Sequence, residues 1–167
     1  MAKADSGTRL VVNVSKQTLS VLPESGDQSR LEYVVSTAEN GVGQWEGSGC
    51  TPLGRHYIRA KIGRNAPLGA VFVGRRWTGE IYSAELAQQY PNRDWILSRI
   101  LWLCGLQRGM NRGGQCDTMR RFIYIHGTPD TEPMGVPKSH GCIRMRNHDV
   151  ITLFDYVQPF TVVEVVA

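Results

Sequence analysis

Alternation of apolar and polar positions organises the opening of the chain. RLVVNV (Arg9–Val14) and QTLSVL (Gln17–Leu22) are short β-branched runs, and Ser15-Lys16 between them predicts a hairpin. PESGDQSR (Pro23–Arg30) is a turn-rich connection, and RLEYVVS (Arg30–Ser36) alternates as a third strand. HYIRAKIG (His56–Gly63) alternates again, and GAVFVGR (Gly69–Arg75) reads the same way. ILSRILWLCG (Ile96–Gly105) is apolar on both faces; it fits a buried strand or a short helix, and periodicity does not decide. RFIYIHG (Arg121–Gly127) predicts a buried strand that ends in a histidine, and FTVVEVV (Phe160–Val166) a final strand. Helical signals are fewer. Ser83–Gln89 predicts a helical turn stopped by Pro91. The run from Cys142 to Val157 has helical character, with Val150, Leu153, Phe154 and Val157 at i, i+3, i+4 and i+7 and Asn147 as the expected cap.

The pattern predicts a mainly β fold with minor α: a mixed β-sandwich or barrel-like domain with one helix after Cys142. No internal repeat and no linker interrupts it. Residues 8–167 are expected to form a single domain, preceded by a short polar segment, 1–7. Two long connections stand out: the glycine-rich ENGVGQWEGSGCTPLG (Glu39–Gly54) and the proline-rich TPDTEPMGVPKS (Thr128–Ser139). Long structureless loops in compact domains tend to be functional or mobile.

Composition narrows the function classes. A chain of 167 residues suits one domain with its own core. The formal charge of +4 is mildly basic, but the basic residues are scattered, with no run longer than Arg75-Arg76 or Arg120-Arg121. A solvated surface explains them better than a nucleic-acid face, so no nucleic-acid partner is expected. No apolar run approaches the ~18–20 residues of a spanning helix, so no transmembrane segment is expected. The N-terminus MAKADSGTR lacks an apolar core, and no signal peptide is expected on this chain.

The chemistry concentrates in SHGCIRM (Ser139–Met145). Of the four cysteines, none forms a C-x-x-C pair; Cys104 and Cys116 flank a glycine-rich loop that a disulfide could bridge, and Cys50 lies in the other glycine-rich loop. Cys104 sits in an apolar run and reads as packing or half of a bridge. Cys142 has polar, glycine-bracketed neighbours and reads as a nucleophile. His126 taken alone would be a core histidine at a strand end; with Cys142 downstream it becomes the base that takes the thiol proton. A thiol of pKa ~8.5 is mostly unreactive at neutral pH, and a thiolate–imidazolium pair, helped by a helix N-terminus just past Gly141, is the expected remedy. Gly141 permits close backbone approach, and successive N–H groups there would form an oxyanion hole. His140 fits a substrate contact or a helix cap equally, and Arg144 fits a structural ion pair or a carboxylate clamp. His56 and His148 read as structural or surface residues. His126, His140, Cys142 and Cys116 are the right atoms for zinc, but the paired spacings are absent and no metal is expected. Trp45, Trp77, Trp95 and Trp102 are spread out; Trp45 and Trp77, near glycine-rich segments, are candidates for lining a groove.

His126, a twelve-residue spacer that begins with Gly127, and Ser139-His140-Gly141-Cys142-Ile143-Arg144 together resemble the signature of the L,D-transpeptidase catalytic domain, the YkuD-type family of cysteine-dependent bacterial cell-wall enzymes. TPLGRHYI (Thr51–Ile58) and the opening VVNVSKQTLSVL resemble further family segments, so the likeness runs from about Arg9 to Val166. The resemblance implies Cys142 as nucleophile, His126 as base and the Gly127 backbone carbonyl as the group that orients its imidazole. It implies the N–H groups of Gly141 and Cys142 as the oxyanion hole, and Ser139, His140 and Arg144 as residues that shape the site or bind substrate. The implied reaction is acyl transfer: a Cys142 thioester forms at the L-centre–D-alanine bond of a peptidoglycan tetrapeptide stem and passes to an acceptor amine. The acceptor would be a second stem, a lysine of a wall-linked lipoprotein or a D-amino acid; no cofactor is required. Water as acceptor would make an L,D-carboxypeptidase. A cell-wall amidase on the same scaffold and a catalytically silent wall-binding module are the competing readings. The substrate class places the expected site of action in the cell envelope or periplasm.

Overall fold

The computed structural model describes residues 7–23 and 31–167, so most of the predicted turn Pro23–Arg30 lies outside the described residues. The elements run β1 (Thr8–Asn13), β2 (Thr18–Pro23), β3 (Leu31–Val34), β4 (Gly54–Ile62), β5 (Ala70–Val73), β6 (Arg76–Ile81), α1 (Ala84–Gln89), β7 (Ile96–Gly105), β8 (Tyr124–Gly127), β9 (Ile143–Met145), α2 (Asn147–Tyr156) and β10 (Val162–Val166). The fold is mainly β with minor α, as the patterning predicts.

All these strands belong to one sheet, ordered β3-β2-β1-β10-β4-β7-β5-β6, with β8 on β7 and β9 on β8. The sheet curls into a half-barrel. It curls so far that Ser36, just past β3, exchanges backbone hydrogen bonds of 2.9 Å with Arg144 in β9. Period-2 alternation supplies the lining: Leu10 and Val12 of β1, Leu19 and Val21 of β2, and Val163 and Val165 of β10 are fully or almost fully buried. Helix α2 packs into the curl, where Val150, Leu153 and Phe154 join these residues in one cluster.

β7 is apolar on both faces because both faces are covered. Leu101 and Leu103 face the α2 cluster, whereas Ile100 packs with Ala70, Phe72 and Tyr124 in a second, smaller cluster. Its neighbours β4, β5 and β8 fix it as a strand rather than the alternative short helix.

The structure departs from the patterning at three points, two of them corrections and one a strand the patterning did not announce. The segment after Cys142 is not helical: Ile143–Met145 forms β9, parallel to β8, and the helix begins only at Asn147. Sheet pairing wins there because Ile143 and Met145 alternate into the core, while the helical spacing starts at Val150. Asn147 is therefore the first helical residue, not the cap. Its side chain turns inward, donating to Thr128 O (2.9 Å) and accepting from Ser98 Oγ (2.6 Å). Secondly, β6 (RWTGEI) has no apolar face to announce it; it forms because Gly74 and Arg75, at φ 55° and 63°, make a two-residue turn that folds it onto β5. Thirdly, Cys104 and Cys116 are not bridged; all four cysteines are free thiols. The intervening loop is closed instead by buried Asn111, which donates to Leu53 O and Arg55 O at 3.1 Å each, and by Asp117, which accepts from Gly113 N at 2.7 Å.

Candidate functional site

The parallel register of β8 and β9 builds the site. Ile125 pairs with Ile143, His126 with Arg144 and Gly127 with Met145. Paired residues share a face and successive residues alternate. Ile123, Ile125, Ile143 and Met145 therefore enter the core, and Tyr124, His126, Cys142 and Arg144 share the opposite face. There they line a cleft of about 420 Å³, together with His140, Asp94, Arg75 and Arg121.

His126 is buried, with Nδ1 2.6 Å from Gly127 O. The carbonyl can only accept, so Nδ1 carries the proton and Nε2 keeps its lone pair. Burial lowers the His126 pKa, Gly127 O and Asp94 oppose that, and Arg144 reinforces it. The imidazole is neutral at pH 7. Gly127 has no room for a side chain: a Cβ would lie 2.5 Å from Asn147 Oδ1 and 2.6 Å from Leu97 O.

Cys142 is half-buried. Its Sγ accepts from Tyr124 N at 3.3 Å, and the thiol donates to Phe122 O at 3.4 Å. Burial pushes the thiol up to about 12, against the lowering effects of Tyr124 N–H, Arg144 and Arg121. With the thiol pushed up and the imidazole pushed down, the site favours a neutral thiol and a neutral imidazole in one cleft over the expected thiolate–imidazolium pair, and Cys142 Sγ bonds Tyr124 N and Phe122 O rather than His126. The physical reason is desolvation of the thiolate, and with β9 in place of a helix start no helix N-terminus lies beside Cys142 to oppose it.

The loop before Cys142 is tied from within. The Ser139 hydroxyl donates to Cys142 O and accepts from Gly141 N at 3.2 Å, while its backbone bonds Thr37 O and Glu39 N at 2.9 Å each. Ser139 is 1% exposed, so it shapes the loop and has almost no surface to offer a substrate. Gly141 sits at φ 132°, and a Cβ there would meet Ile123 Cδ1 at 3.1 Å and Cys50 O at 3.3 Å. Its N–H is directed at Ser139 Oγ, whereas the Cys142 N–H has no protein partner among the described residues.

Arg144 is nearly buried and held between two carboxylates, Asp94 Oδ1 at 3.3 Å and Glu132 Oε2 at 3.6 Å; it also donates to Lys138 O at 3.3 Å. Of the two roles open to it, the structural ion pair is the one the geometry displays. His140 is largely exposed, with Nδ1 4.0 Å from Asp94 Oδ2, and caps no helix.

A family model described as YkuD, the L,D-transpeptidase catalytic domain, matches residues 7–165. The chain belongs to the L,D-transpeptidase catalytic domain family. Its structure is similar to the L,D-transpeptidase from Mycobacterium smegmatis, with TM-score 0.59 and 18% identity over 96% of this chain and 59% of that one. It is also similar to L,D-transpeptidase 3 from Mycobacterium tuberculosis in complex with a faropenem-derived adduct (TM-score 0.57, 16% identity, 96% of this chain and 60% of that one). A third is the L,D-transpeptidase from Xylanimonas cellulosilytica (TM-score 0.53, 17% identity, 99% and 63%). At such identities these likenesses speak for the fold, and this chain spans about three fifths of the length of these relatives. No curated protein matches the chain.

In this L,D-transpeptidase domain, four residues of the cleft carry no sequence motif of their own. Tyr124 was legible in principle, two positions before His126 on the same strand face. Arg75, at the β5–β6 turn, donates to Tyr124 Oη at 3.1 Å and lies over the rings of Trp102 and Phe122, at 4.8 and 4.9 Å. Arg121 donates to Gly43 O, Gln44 O, Ser48 Oγ and Cys50 O, and so pins the Glu39–Gly54 loop beside the cleft. Asp94 gave no signal; it arrives from the connection before β7. Cys116 lines a different cleft, so the four zinc-type ligands do not converge. Trp77 lies on β6 with its Nε1 bonded to Glu80 O, and Trp45 lies in the cleft of Cys116. His56 is buried between Gly54 O and Thr118 Oγ1, and His148 is exposed on α2.

Proposed function

We propose that this domain is a peptidoglycan L,D-transpeptidase that works through a Cys142 thioester. The observation that carries the reading is the Nδ1–Gly127 O bond. It leaves Nε2 of a neutral, buried imidazole as a proton acceptor on the sheet face that also presents Cys142. In the proposed first step, Cys142 Sγ attacks the carbonyl carbon of the L-centre–D-alanine bond while its proton passes to His126 Nε2. The carbonyl oxygen becomes an oxyanion near the unpartnered Cys142 N–H. The C–N bond then breaks, His126 returns the proton to the leaving amine of D-alanine, and a thioester remains. An acceptor amine attacks the thioester carbonyl and gives a proton to His126; the C–S bond breaks as the new amide forms, and His126 returns the proton to Cys142 Sγ. Because the resting pair is neutral, proton transfer accompanies attack instead of preceding it.

Asp94 and Glu132 neutralise Arg144 and keep its charge from opposing the imidazolium that forms transiently. Ser139 acts through the loop, holding Cys142 against Tyr124 N. The proposed place of action is the cell envelope, where such stems occur.

The test is intact-mass spectrometry of the protein with a disaccharide–tetrapeptide, with and without an acceptor stem. A mass increase that Cys142→Ala abolishes, followed by a cross-linked dimer, is the expected result. D-Alanine release without dimer would replace transfer by carboxypeptidase hydrolysis. Absence of both adduct and product would overturn the reading in favour of a silent binding module.

A further inference from the structure

A cleft of about 690 Å³, larger than that of the candidate site, lies between the Glu39–Gly54 loop and the loop that follows β7. Its floor is glycine-rich, and three side chains give it character: Trp45, Arg108 and Arg112. Trp45 is 62% exposed, and its Nε1–H has no protein partner among the described residues. On a loop pinned by Arg121, Trp45 therefore offers an open ring face and a free indole N–H to a ligand.

The two arginines are exposed and face each other across an isolated backbone bridge. Like charges directly opposite repel, and among the described residues neither guanidinium has a carboxylate partner. Asp117, in the same cleft, does not relieve them: its oxygens accept from Gly113 N (2.7 Å) and Arg120 N (2.9 Å). The placement is preorganised. Gln107 O accepts from the N–H groups of Met110, Asn111 and Arg112, and Asn111 is fully buried. A ligand would meet the arginine pair with little loop ordering left to do.

The cleft adjoins the candidate site. A shallow depression lined by Glu46, Gly47, Arg121 and His140 shares Arg121 and His140 with the Cys142 cleft, and Glu46 N donates to Gln115 O at 2.7 Å across the rim of the Trp45 cleft. We infer that the Trp45–Arg108–Arg112 cleft is a subsite for an acidic saccharide, with a pyranose ring on the Trp45 indole and a carboxylate between Arg108 and Arg112. The choice of ligand rests on the reading above. Stemless N-acetylmuramic acid residues carry a free lactyl carboxylate, and on a partly stripped strand an intact stem seated at Cys142 would bring its stemless neighbours along this groove.

The test uses the full chain and amidase-stripped glycan strands of alternating N-acetylglucosamine and N-acetylmuramic acid, titrated calorimetrically. Having no stem, they cannot acylate Cys142. Binding is expected, weakened about tenfold in the Arg108→Ala/Arg112→Ala double variant and by a similar factor in Trp45→Ala. Chitotetraose, with the same ring but no carboxylate, should bind at least about tenfold more weakly. In the unmodified chain, the stripped glycan should also slow alkylation of Cys116, which lines the cleft. Unchanged affinity in either variant, equal binding of chitotetraose, or unprotected Cys116 would each overturn the proposal. A chain that forms the stem adduct but ignores the glycan fails this inference alone; one that binds the glycan but forms no adduct fails the functional reading alone.

Discussion

Alkylation of Cys142 reads its resting protonation state directly. Burial takes the thiol from an ordinary 9.0 up to about 12, three units, which lowers the thiolate fraction below pH 9 about a thousandfold. A more basic thiolate is also more nucleophilic. With a Brønsted slope of ~0.45, three units return about 20-fold. The net expectation is iodoacetamide alkylation about 50-fold slower at pH 7.5 in the folded chain than at Cys142 in urea. The logarithm of the rate should climb with unit slope through pH 9. His126→Ala should change this rate less than about threefold, yet lower acyl transfer by about 10²–10⁴, since general-base help is needed only in the transition state. The assay is time-resolved peptide mapping at several pH values. A rate plateau with a midpoint below about pH 7, lost in His126→Ala, would refute the neutral pair and restore a preformed thiolate–imidazolium.

Four further outcomes are expected. His56 is fully buried and its pKa is lowered to about 4, so the unfolded state alone takes up its proton as pH falls below 6.5. Stability present at pH 7 should fall progressively between about pH 6.5 and 4, by up to about 3 kcal/mol; urea unfolding of wild type and His56→Gln at pH 7 and 4.5 measures it, and equal pH slopes would refute it. Gly127→Ala drives a methyl against Asn147 Oδ1 and Leu97 O and should cost about 1–3 kcal/mol in thermal unfolding; an unshifted melting temperature would show that the close approach is not maintained. Arg121→Ala removes four hydrogen bonds to the Glu39–Gly54 loop and should cost about 2–3 kcal/mol, with faster amide exchange at Gly43–Cys50; exchange at the wild-type rate would mean the loop is held otherwise. Arg144→Met leaves the half-exposed Asp94 and Glu132 without their cation and Lys138 O without its donor, and with solvent screening the two carboxylates it should destabilise by about 1–2 kcal/mol, checked by chemical denaturation; a neutral effect would make Arg144 dispensable to the fold.

Much of this molecule was legible in its residues. The hairpin β1–β2 followed from alternation, because each strand buries one face and the period is then 2. The family followed from His126-Gly127 and Ser139–Arg144, because that combination of residue types at that spacing is specific. What local reading cannot supply is the partner across the sheet. β6 has no apolar stripe, so only its turn and the strand it pairs with reveal it. The helical spacing from Val150 draws the whole stretch after Cys142 into one helical reading, yet Ile143–Met145 finds β8 and becomes a strand. Asp94, Arg75 and Arg121 come from three separate connections, and proximity alone recruits them.

The sequence by itself determined the elements whose faces are written in apolar periodicity, the family and the identity of the cysteine and histidine at issue. Tertiary structure decided their chemical state. Desolvation, register and the direction of a carbonyl are properties of neighbours distant along the chain. Gly127 O sets the tautomer of His126, the β8–β9 register puts its ring in the cleft that Cys142 and Arg144 also line, and burial favours the neutral form of both thiol and imidazole.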